Sequence, residues 1–283
     1  MLKAGICCGL DSMLFRRWRF KMSDKRLEGK VIVISGGTSG VGKTAAEEFA
    51  AQGAKIVIGG RNEEAALRSL RLIRTYGSEG IFVHTELENV EDCKKLFDEA
   101  AAEYGKIDGF FNYAGVTPVS PLDTCNQETF DKVMNVNFRA AFFCCQHAVN
   151  HMRETGGGSI VLTGSPHAWG GEKDRAAYAC SKGVLMTLMY HISKNYGEEH
   201  IRCNYLTLGW TPTEGEVELR RSQGQTEAEL RREASKVIPY GRMNERSDYI
   251  GALIYMMSDE SYMLSGSVFR CTGGWYIGTS IQN

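Results

Sequence analysis

The stretch KVIVISGGTSGVG, residues 30–42, contains a short β-branched run followed by a glycine-rich turn. Residues 30–35 are typical of a buried parallel strand, and residues 43–52 favour a helix. Glycines let the backbone approach a ligand closely, and the first turn of a helix offers unpaired N–H groups to an anion. The order of strand, glycine turn and helix therefore predicts a phosphate-binding site. Its Gly-x3-Gly-x-Gly spacing differs from the general dinucleotide fingerprint, Gly-x-Gly-x-x-Gly.

Strand and helix patterns alternate along the rest of the chain. Six further strands are predicted at residues 54–59, 80–84, 107–111, 158–163, 200–206 and 266–270. This alternation indicates an α/β fold with one doubly wound parallel sheet of about seven strands and helices on both faces. The length of 283 residues suits one domain, which we place at 28–283. Residues 211–240 contain a charged, helix-prone segment near the strand ends, and we interpret this segment as a lid-like insertion.

Composition narrows the class of protein. The net charge is −1, which argues against a nucleic-acid partner. No apolar run approaches the roughly 18 residues of a membrane span. The nine cysteines are scattered without zinc spacing and indicate reduced thiols, so we expect a cytoplasmic protein. His147 and His151 have the spacing of a helical metal pair but no third ligand, so no metal site is predicted.

Residues 1–27 form a basic segment, with seven Lys and Arg residues against two Asp residues. We expect a flexible N-terminal extension. A mitochondrial transit peptide is the alternative, since such peptides are arginine-rich and poor in acids, although serine is scarce here.

The end of the second strand bears on cofactor choice. Enzymes that select NAD place an acid there for the ribose 2′-hydroxyl, whereas an arginine accommodates the 2′-phosphate of NADP. Here Gly60 takes the position of the acid and Arg61 follows it. Because the arginine fork suits a phosphate, the sequence favours NADP(H), with NAD(H) as the alternative.

Tyr178 and Lys182 are four residues apart in a predicted helix, so they share one face. An ammonium group beside a phenol lowers the pKa of the phenol, which prepares it to move protons near neutral pH. The spacing is common by itself. It becomes informative because small residues, Asn112 to Gly115, end a strand where open α/β sheets bind their ligands.

Taken together, these motifs resemble the short-chain dehydrogenase/reductase family over residues 28–278. The glycine turn matches the family's Thr-Gly-x3-Gly-x-Gly with Ser35 in place of threonine, and Asn-Tyr-Ala-Gly at 112–115 matches Asn-Asn-Ala-Gly. Asn137, Ser165 and Tyr178-x3-Lys182 follow in the family's order, with thirteen residues from the serine to the tyrosine. The resemblance implies a Rossmann-like fold.

The resemblance also implies a catalytic tetrad of Asn137, Ser165, Tyr178 and Lys182. Tyr178 would be the acid in carbonyl reduction and the base in alcohol oxidation, and Ser165 would bond the substrate oxygen. Lys182 would lower the pKa of Tyr178 and hold the ribose hydroxyls, while Asn137 would hold a water that continues a proton relay. The implied cofactor contacts, besides Tyr178 and Lys182, are Gly36, Thr38, Ser39, Gly40, Val41, Gly42, Arg61, Glu86, Leu87, Asn112, Ala114, Gly115, Gly209, Thr211 and Thr213.

Some positions depart from the family pattern. Tyr113 replaces the second asparagine and puts a bulky ring near the cofactor, and Leu208-Gly209 replaces Pro-Gly in the turn near the nicotinamide. Glu86-Leu87 replaces Asp-Val beside the adenine. None of these changes removes a catalytic group.

His167, Trp169 and Trp210 flank the catalytic positions and suggest a partly aromatic substrate pocket. We therefore predict an NAD(P)-dependent oxidoreductase that transfers a hydride between a nicotinamide cofactor and a small carbonyl or alcohol substrate. The alternatives are a 3-oxoacyl-carrier-protein reductase of fatty-acid synthesis and a non-catalytic nucleotide sensor. Similar proteins are dimers or tetramers, so a homotetramer or homodimer is expected, joined by helices spanning roughly 139–153 and 178–196, with Cys144, Cys145 and His147 near the interface.

Overall fold

The computed structural model of the chain describes residues 25–276. The basic segment at 1–24 lies outside the described residues. The last residues of the predicted extension belong to the folded domain: Leu27 is fully buried, and Arg26 pairs with Glu260 at 2.6 Å. The folded domain therefore begins slightly earlier than the sequence predicts.

Seven parallel strands form one sheet in the order β3-β2-β1-β4-β5-β6-β7. The strands are β1 (Val31–Ser35), β2 (Lys55–Gly60), β3 (Gly80–His84), β4 (Gly109–Asn112), β5 (Gly158–Gly164), β6 (Ile201–Leu208) and β7 (Val268–Cys271). The doubly wound parallel sheet predicted from the sequence is confirmed.

Helices cover both faces of this sheet. They are α1 (Gly40–Ala51), α2 (Glu63–Thr75), α3 (Val90–Tyr104), α4 (Gln127–Met134), α5 (Ala140–Thr155), α6 (Ala176–Asn195), α7 (Glu214–Ser222), α8 (Glu227–Val237) and α9 (Ile250–Met257). A π-helical turn, Asn135–Arg139, joins α4 to α5, and short 3-10 turns precede α6 and α9. None of the helices in the described part of the chain is long and apolar enough to cross a membrane.

Strand β1 shows why the sheet is buried on both faces. Its side chains alternate, so Val31 and Val33 belong to the core beneath α3, α5 and α6. Ile32 and Ile34 belong to the opposite core, beneath α1, α2 and α9. Each buried aliphatic side chain contributes about 1.5–3 kcal/mol of hydrophobic stabilisation. The uninterrupted apolar run of β1 is the pattern that a strand in such a position needs.

The position of the site follows from the strand order. The order reverses at β1, which lies between β2 and β4, and ligands of open α/β sheets bind at this switch point, beyond the carboxyl ends of the strands. Ser35 and Asn112 are paired in register across β1 and β4. The glycine turn and the Asn112–Gly115 segment therefore leave the sheet side by side.

The charged segment predicted as a lid forms α7 and α8. Gly224 interrupts the helices with a φ of +82°, which few residues other than glycine adopt. Thr213 caps α7 by accepting from the backbone N–H of Glu216, and Thr226 and Glu229 form a capping box at α8.

Candidate active site

The glycine turn after β1 depends on residues without side chains. Gly36 has a φ of +77°, and a Cβ atom there would lie 2.8 Å from the Cα atom of Ala114. A Cβ atom on Gly40 would lie 2.2 Å from the Tyr113 hydroxyl. The turn therefore packs directly against the end of β4, next to the N-terminus of α1.

Two N–H groups at this N-terminus contact polar side chains of the chain itself. The Gly40 N–H donates to a carboxylate oxygen of Glu214 at 3.2 Å, and the same carboxylate pairs with Arg246 at 3.0 Å. The Val41 N–H bonds the Tyr113 hydroxyl and lowers its pKa, although burial, the larger effect, raises it. Helix α7 thus begins with a carboxylate that contacts the glycine turn.

A cavity of about 670 Å³ extends from this turn to the catalytic positions and the lid, a size that is ordinary for a small-molecule site. Most of the residues predicted to form the site line it. They are Gly36, Thr38, Ser39, Gly40, Val41, Arg61, Glu86, Leu87, Ala114, Gly115, Ser165, His167, Tyr178, Lys182, Gly209, Trp210, Thr211 and Thr213.

Four predicted residues are not among those that line the cavity. Gly42 lies within the turn, where a Cβ atom would come 2.5 Å from the carbonyl oxygen of Gly36. Asn112 is buried and accepts a hydrogen bond from the Ser35 hydroxyl at 3.0 Å, which ties β4 to β1. Gly42 and Asn112 therefore support the glycine turn and the end of β4 without lining the cavity. The other two, Asn137 and Trp169, are described below.

Trp169 corrects the predicted pocket. It ends a 3-10 turn, Pro166–Trp169, which directs its ring back onto β6. There the ring meets Tyr205 edge to face, with centroids 6.2 Å apart, and the guanidinium carbon of Arg270 lies 4.5 Å from its centroid. Trp169 is therefore a half-buried side chain in contact with Tyr205 and Arg270, and it is not among the residues that line the cavity.

Tyr178 and Lys182 share one face of α6, as their spacing predicts. The Lys182 Nζ atom lies 5.7 Å from the centroid of the Tyr178 ring. Burial raises the pKa of Tyr178 to about 12, and a hydrogen bond with the Ser165 side chain opposes this shift. Desolvation is thus the largest effect on the pKa of the phenol, and the lowering by Lys182 stays a prediction.

Lys182 is itself desolvated, with 2% of its surface exposed. Burial lowers its pKa to about 8. Its Nζ atom donates to the carbonyl oxygen of Thr163 in β5 at 3.0 Å. The ammonium is thus held by the backbone of the strand that ends next to Ser165.

Asn137 lies behind the cavity in the π-helical turn and is fully buried. Its side chain accepts from the Val116 N–H at 2.7 Å and donates to the Val116 carbonyl at 2.9 Å. A Cβ atom on Gly115 would lie 3.2 Å from the Asn137 Oδ1 atom and 3.6 Å from the Lys182 Nζ atom. The absence of a side chain at Gly115 therefore leaves a gap that both polar groups face.

Tyr205 is a residue that the sequence analysis did not identify. It is fully buried in β6, where its hydroxyl accepts from the Ser165 N–H at 3.3 Å and donates to the Lys182 carbonyl at 3.0 Å. A Cβ atom on Gly164 would lie 2.0 Å from the Tyr205 ring, so the glycine makes room for this phenol. Tyr205 links the backbones of two catalytic positions. In the sequence, the available signal was a tyrosine within the predicted strand at 200–206.

Arg175 was also missed, although its position three residues before Tyr178 places it on the same face of the helix. It is 3% exposed, lines the cavity, and pairs with Asp174 at 2.9 Å. Its positive charge opposes the rise in the pKa of Tyr178. Arg175 is therefore a second buried cation near Tyr178, besides Lys182.

The side of the cavity formed by Trp210, Trp275 and helix α7 is a cluster of aromatic and charged groups. Trp210 and Trp275 stack with centroids 5.5 Å apart, and both line the cavity. Glu216 accepts from the Trp210 indole N–H and from Arg220, each at 2.9 Å. These contacts attach α7 to the end of β6, so the predicted aromatic wall is supplied by Trp210 together with Trp275.

The residues fit a dinucleotide. The cavity joins the glycine turn, whose helix N-terminus suits a pyrophosphate, to the Tyr178 and Lys182 side chains. Arg61 is exposed at the end that adjoins Thr85, Glu86 and Leu87, where an adenosine half would lie.

Comparison with known proteins supports this interpretation. The family model described as enoyl-(acyl carrier protein) reductase matches residues 36–276. An uncharacterized oxidoreductase of Thermotoga maritima is 31% identical over 247 residues, which are 87% of this chain and 97% of the relative. The 7alpha-hydroxysteroid dehydrogenase of Clostridium sardiniense is 29% identical, with 90% of this chain and 96% of the relative covered.

Solved structures agree with the sequence comparison. The crystal structure of levodione reductase superposes with a TM-score of 0.84 at 25% identity, covering 88% of this chain and 98% of that chain. The chain belongs to the short-chain dehydrogenase/reductase family, and it is an NAD(P)-dependent oxidoreductase that acts on CH–OH groups.

Proposed function

We propose that this chain is an NADP(H)-dependent carbonyl reductase and alcohol dehydrogenase, with Asn137, Ser165, Tyr178 and Lys182 as its catalytic tetrad. The observation that carries the proposal is the Ser165–Tyr178 hydrogen bond in a cavity that continues to the glycine turn. A bound nicotinamide supplies or accepts the hydride. The side chains of the protein bind the substrate oxygen and move a proton.

Ser165 and Tyr178 supply two hydroxyl donors for a carbonyl oxygen. As hydride adds to the carbonyl carbon, negative charge develops on that oxygen, and both donors stabilise it. Tyr178 then transfers its proton to the oxygen, so the product is a neutral alcohol. Because burial holds the pKa of Tyr178 at about 12, the phenol is protonated at neutral pH and suited to act as the acid.

Lys182 and Asn137 are the other two members of the proposed tetrad. The Lys182 ammonium lies beside the phenol and stabilises the phenolate that remains after proton transfer. Both residues face the gap at Gly115, which supports a water there that returns a proton to the site. Lys182 also lines the cavity, where its ammonium can donate to the ribose hydroxyls of the cofactor.

The preference for NADP(H) rests on Arg61. It follows Gly60 at the end of β2, lines the cavity and is exposed to a ligand. No carboxylate occupies position 60, where an acid would repel a 2′-phosphate.

Tyr178→Phe tests the proposal. It removes the proton donor but keeps the ring, so turnover of ketones with NADPH falls by at least about a hundredfold while NADPH affinity stays within about twofold. Tyr104→Phe, at the distant end of α3, is the matched control for loss of a tyrosine hydroxyl and retains activity. A panel of ketones and alcohols, assayed by absorbance of the reduced cofactor, measures both variants. Full turnover by Tyr178→Phe contradicts the assigned acid.

The expected homotetramer is also part of this proposal, with α5 and α6 as its contact helices. Phe142 on α5 and Tyr190 on α6 are 43% and 51% exposed, which supports contact at these faces. Cys144 and Cys145 are buried in the core beneath α5, so their thiols do not themselves form the exposed face of this helix, and their place near the interface stays a prediction. Phe142→Asp should lower the mass seen by light scattering, whereas Leu67→Asp on α2 should not.

The proposed compartment is the cytoplasm. Seven cysteines in the described part of the chain are free thiols, which supports a reducing environment. Localisation of the tagged full-length chain tests this, and mitochondrial import is the contrary outcome.

A further inference from the structure

The end of the cavity beyond Tyr178 contains a polar side chain that the proposed reaction does not use. His167 follows Ser165 by two residues in the 3-10 turn after β5 and lines the cavity. Its ring meets the Tyr178 ring edge to face, with centroids 5.5 Å apart. A group bound to His167 therefore lies close to the oxygen that Tyr178 protonates.

The hydrogen bonds of His167 determine which ring nitrogen carries the proton. The Nδ1 atom accepts from the Glu172 N–H at 3.3 Å, so it has no proton. Burial, together with the charge of Arg175, lowers the pKa of His167 to about 4. At neutral pH the imidazole is therefore uncharged and has its proton on Nε2, where it can only donate.

The charged groups near His167 are already paired with one another. Arg175 bonds the carboxylate of Asp174 at 2.9 Å, and Arg220 bonds Glu216 at 2.9 Å. These four groups are the charged neighbours that act on the imidazole. Their charges cancel, so these four groups leave no excess positive charge beside His167 that would bind a carboxylate or phosphate.

We propose that His167 is a specificity-determining residue, whose Nε2–H donates to a second, uncharged oxygen of the substrate next to the reacting carbonyl. The substrate class is then α-hydroxy ketones and vicinal diketones for reduction, and vicinal diols for oxidation. This inference rests on the proposed function and adds the chemistry of the substrate to it.

The neutrality of His167 explains why the second oxygen is uncharged. Burying an ionised oxygen costs free energy unless a cation pairs with it, and the two arginines near His167 already have carboxylate partners. A hydroxyl or keto oxygen satisfies the donor, whereas an alkyl group in the same place leaves the N–H without a partner.

Two ketones of similar size provide the test: 2-hydroxycyclohexanone and 2-methylcyclohexanone, reduced with NADPH. In the unmodified enzyme the hydroxy ketone should have a kcat/KM about tenfold higher, the value of one hydrogen bond to a buried donor. His167→Phe should bring the ratio of the two kcat/KM values close to one by lowering only the hydroxy ketone. His167→Asn, which keeps an N–H donor, should restore part of the ratio.

The outcomes are distinguishable. Equal kcat/KM for both ketones in the unmodified enzyme overturns the inference and leaves the proposed function standing. An unchanged ratio in His167→Phe likewise overturns it, because the preference then comes from another group. Lack of turnover of either ketone, together with lack of turnover across the wider panel, overturns the proposed function and this inference with it. Thermal unfolding of each variant shows whether it is folded. If His167→Phe does not fold, the ratio measured with His167→Asn replaces it in the test.

Discussion

The carboxylate of Glu214, the first residue of α7, accepts a hydrogen bond from the backbone N–H of Gly40, the first residue of α1, at 3.2 Å. N–H groups at this end of a helix are those that bind phosphate. The Glu214 side chain is 58% exposed and is held by Arg246 at 3.0 Å. A lid carboxylate therefore occupies one donor of the proposed pyrophosphate site, and the cofactor must displace it.

Glu214→Gln should bind NADPH more tightly, because the substitution removes a negative charge that competes with the pyrophosphate and frees Arg246 to face it. The gain is about two- to fivefold, the usual value of one charge at a helix N-terminus. Titration calorimetry measures it. Glu218→Gln is the matched control, since Glu218 lies on the same helix and pairs with exposed Arg221. Equal affinity in the Glu214 variant and the unmodified chain would sink the idea of competition.

Arg61→Ala should weaken NADPH binding about tenfold, because the guanidinium is the proposed partner of the 2′-phosphate and a hydrogen bond to a charged group is worth this much. NADH lacks that phosphate, so its affinity should stay within about twofold. Arg71→Ala, on the exposed face of α2, controls for loss of a positive charge. Parallel weakening of both cofactors would count against a 2′-phosphate contact.

The arrangement of the strands could be predicted because it depends on local patterns. The uninterrupted apolar run of β1 and the glycine turn after it are visible in the sequence. The parallel strand order then places Ser165, Tyr178 and Lys182 at one edge of the sheet. The motif spacing was therefore sufficient to predict that these three residues lie close together.

What could not be predicted depends on contacts between distant residues. Glu214 and Gly40 are 174 residues apart, and only the folded lid brings them together. The direction of the Trp169 ring follows from the geometry of a short 3-10 turn. The raised pKa of Tyr178 comes from burial, which is a property of the complete fold and not of the spacing to Lys182.

Tyr205→Phe should lower kcat for ketone reduction about tenfold while leaving the KM for NADPH unchanged, because its hydroxyl joins the Ser165 N–H to the Lys182 carbonyl. The ring remains to fill the space beside Gly164. The Ser165 N–H would lose its partner, whereas the Lys182 carbonyl keeps its bond within α6. An unpaired buried N–H costs about 1–3 kcal/mol of unfolding free energy, and relief of this cost would displace Ser165. Steady-state kinetics and chemical denaturation measure the two effects.

A purely structural role for Tyr205 would change stability alone. The pH dependence of kcat separates the cases, since displacement of Ser165 removes the hydrogen bond that lowers the pKa of Tyr178 and so shifts the alkaline limb upward. Tyr104→Phe again controls for loss of a hydroxyl. An unshifted pH profile with unchanged kcat would assign Tyr205 to packing only.

Lys182→Met should abolish activity and yet stabilise the fold. The ammonium is buried, and its pKa of about 8 in place of 10.5 corresponds to a penalty on the order of 3 kcal/mol for keeping it charged at pH 7. Loss of the hydrogen bond to Thr163 costs about 1 kcal/mol, so a net gain of about 2 kcal/mol in the free energy of unfolding remains. Chemical denaturation at pH 7 measures this gain.

The pH dependence of that gain identifies its cause. Between pH 8 and 10.5 the unfolded lysine still binds a proton that the folded lysine has released, so the stability of the unmodified chain rises with pH in this window through this residue. The variant lacks that contribution. The difference in unfolding free energy between the two proteins should therefore be largest below pH 8 and shrink toward pH 10.5. A difference that stays constant with pH would mean that the methionine stabilises by packing, and that Lys182 is not desolvated.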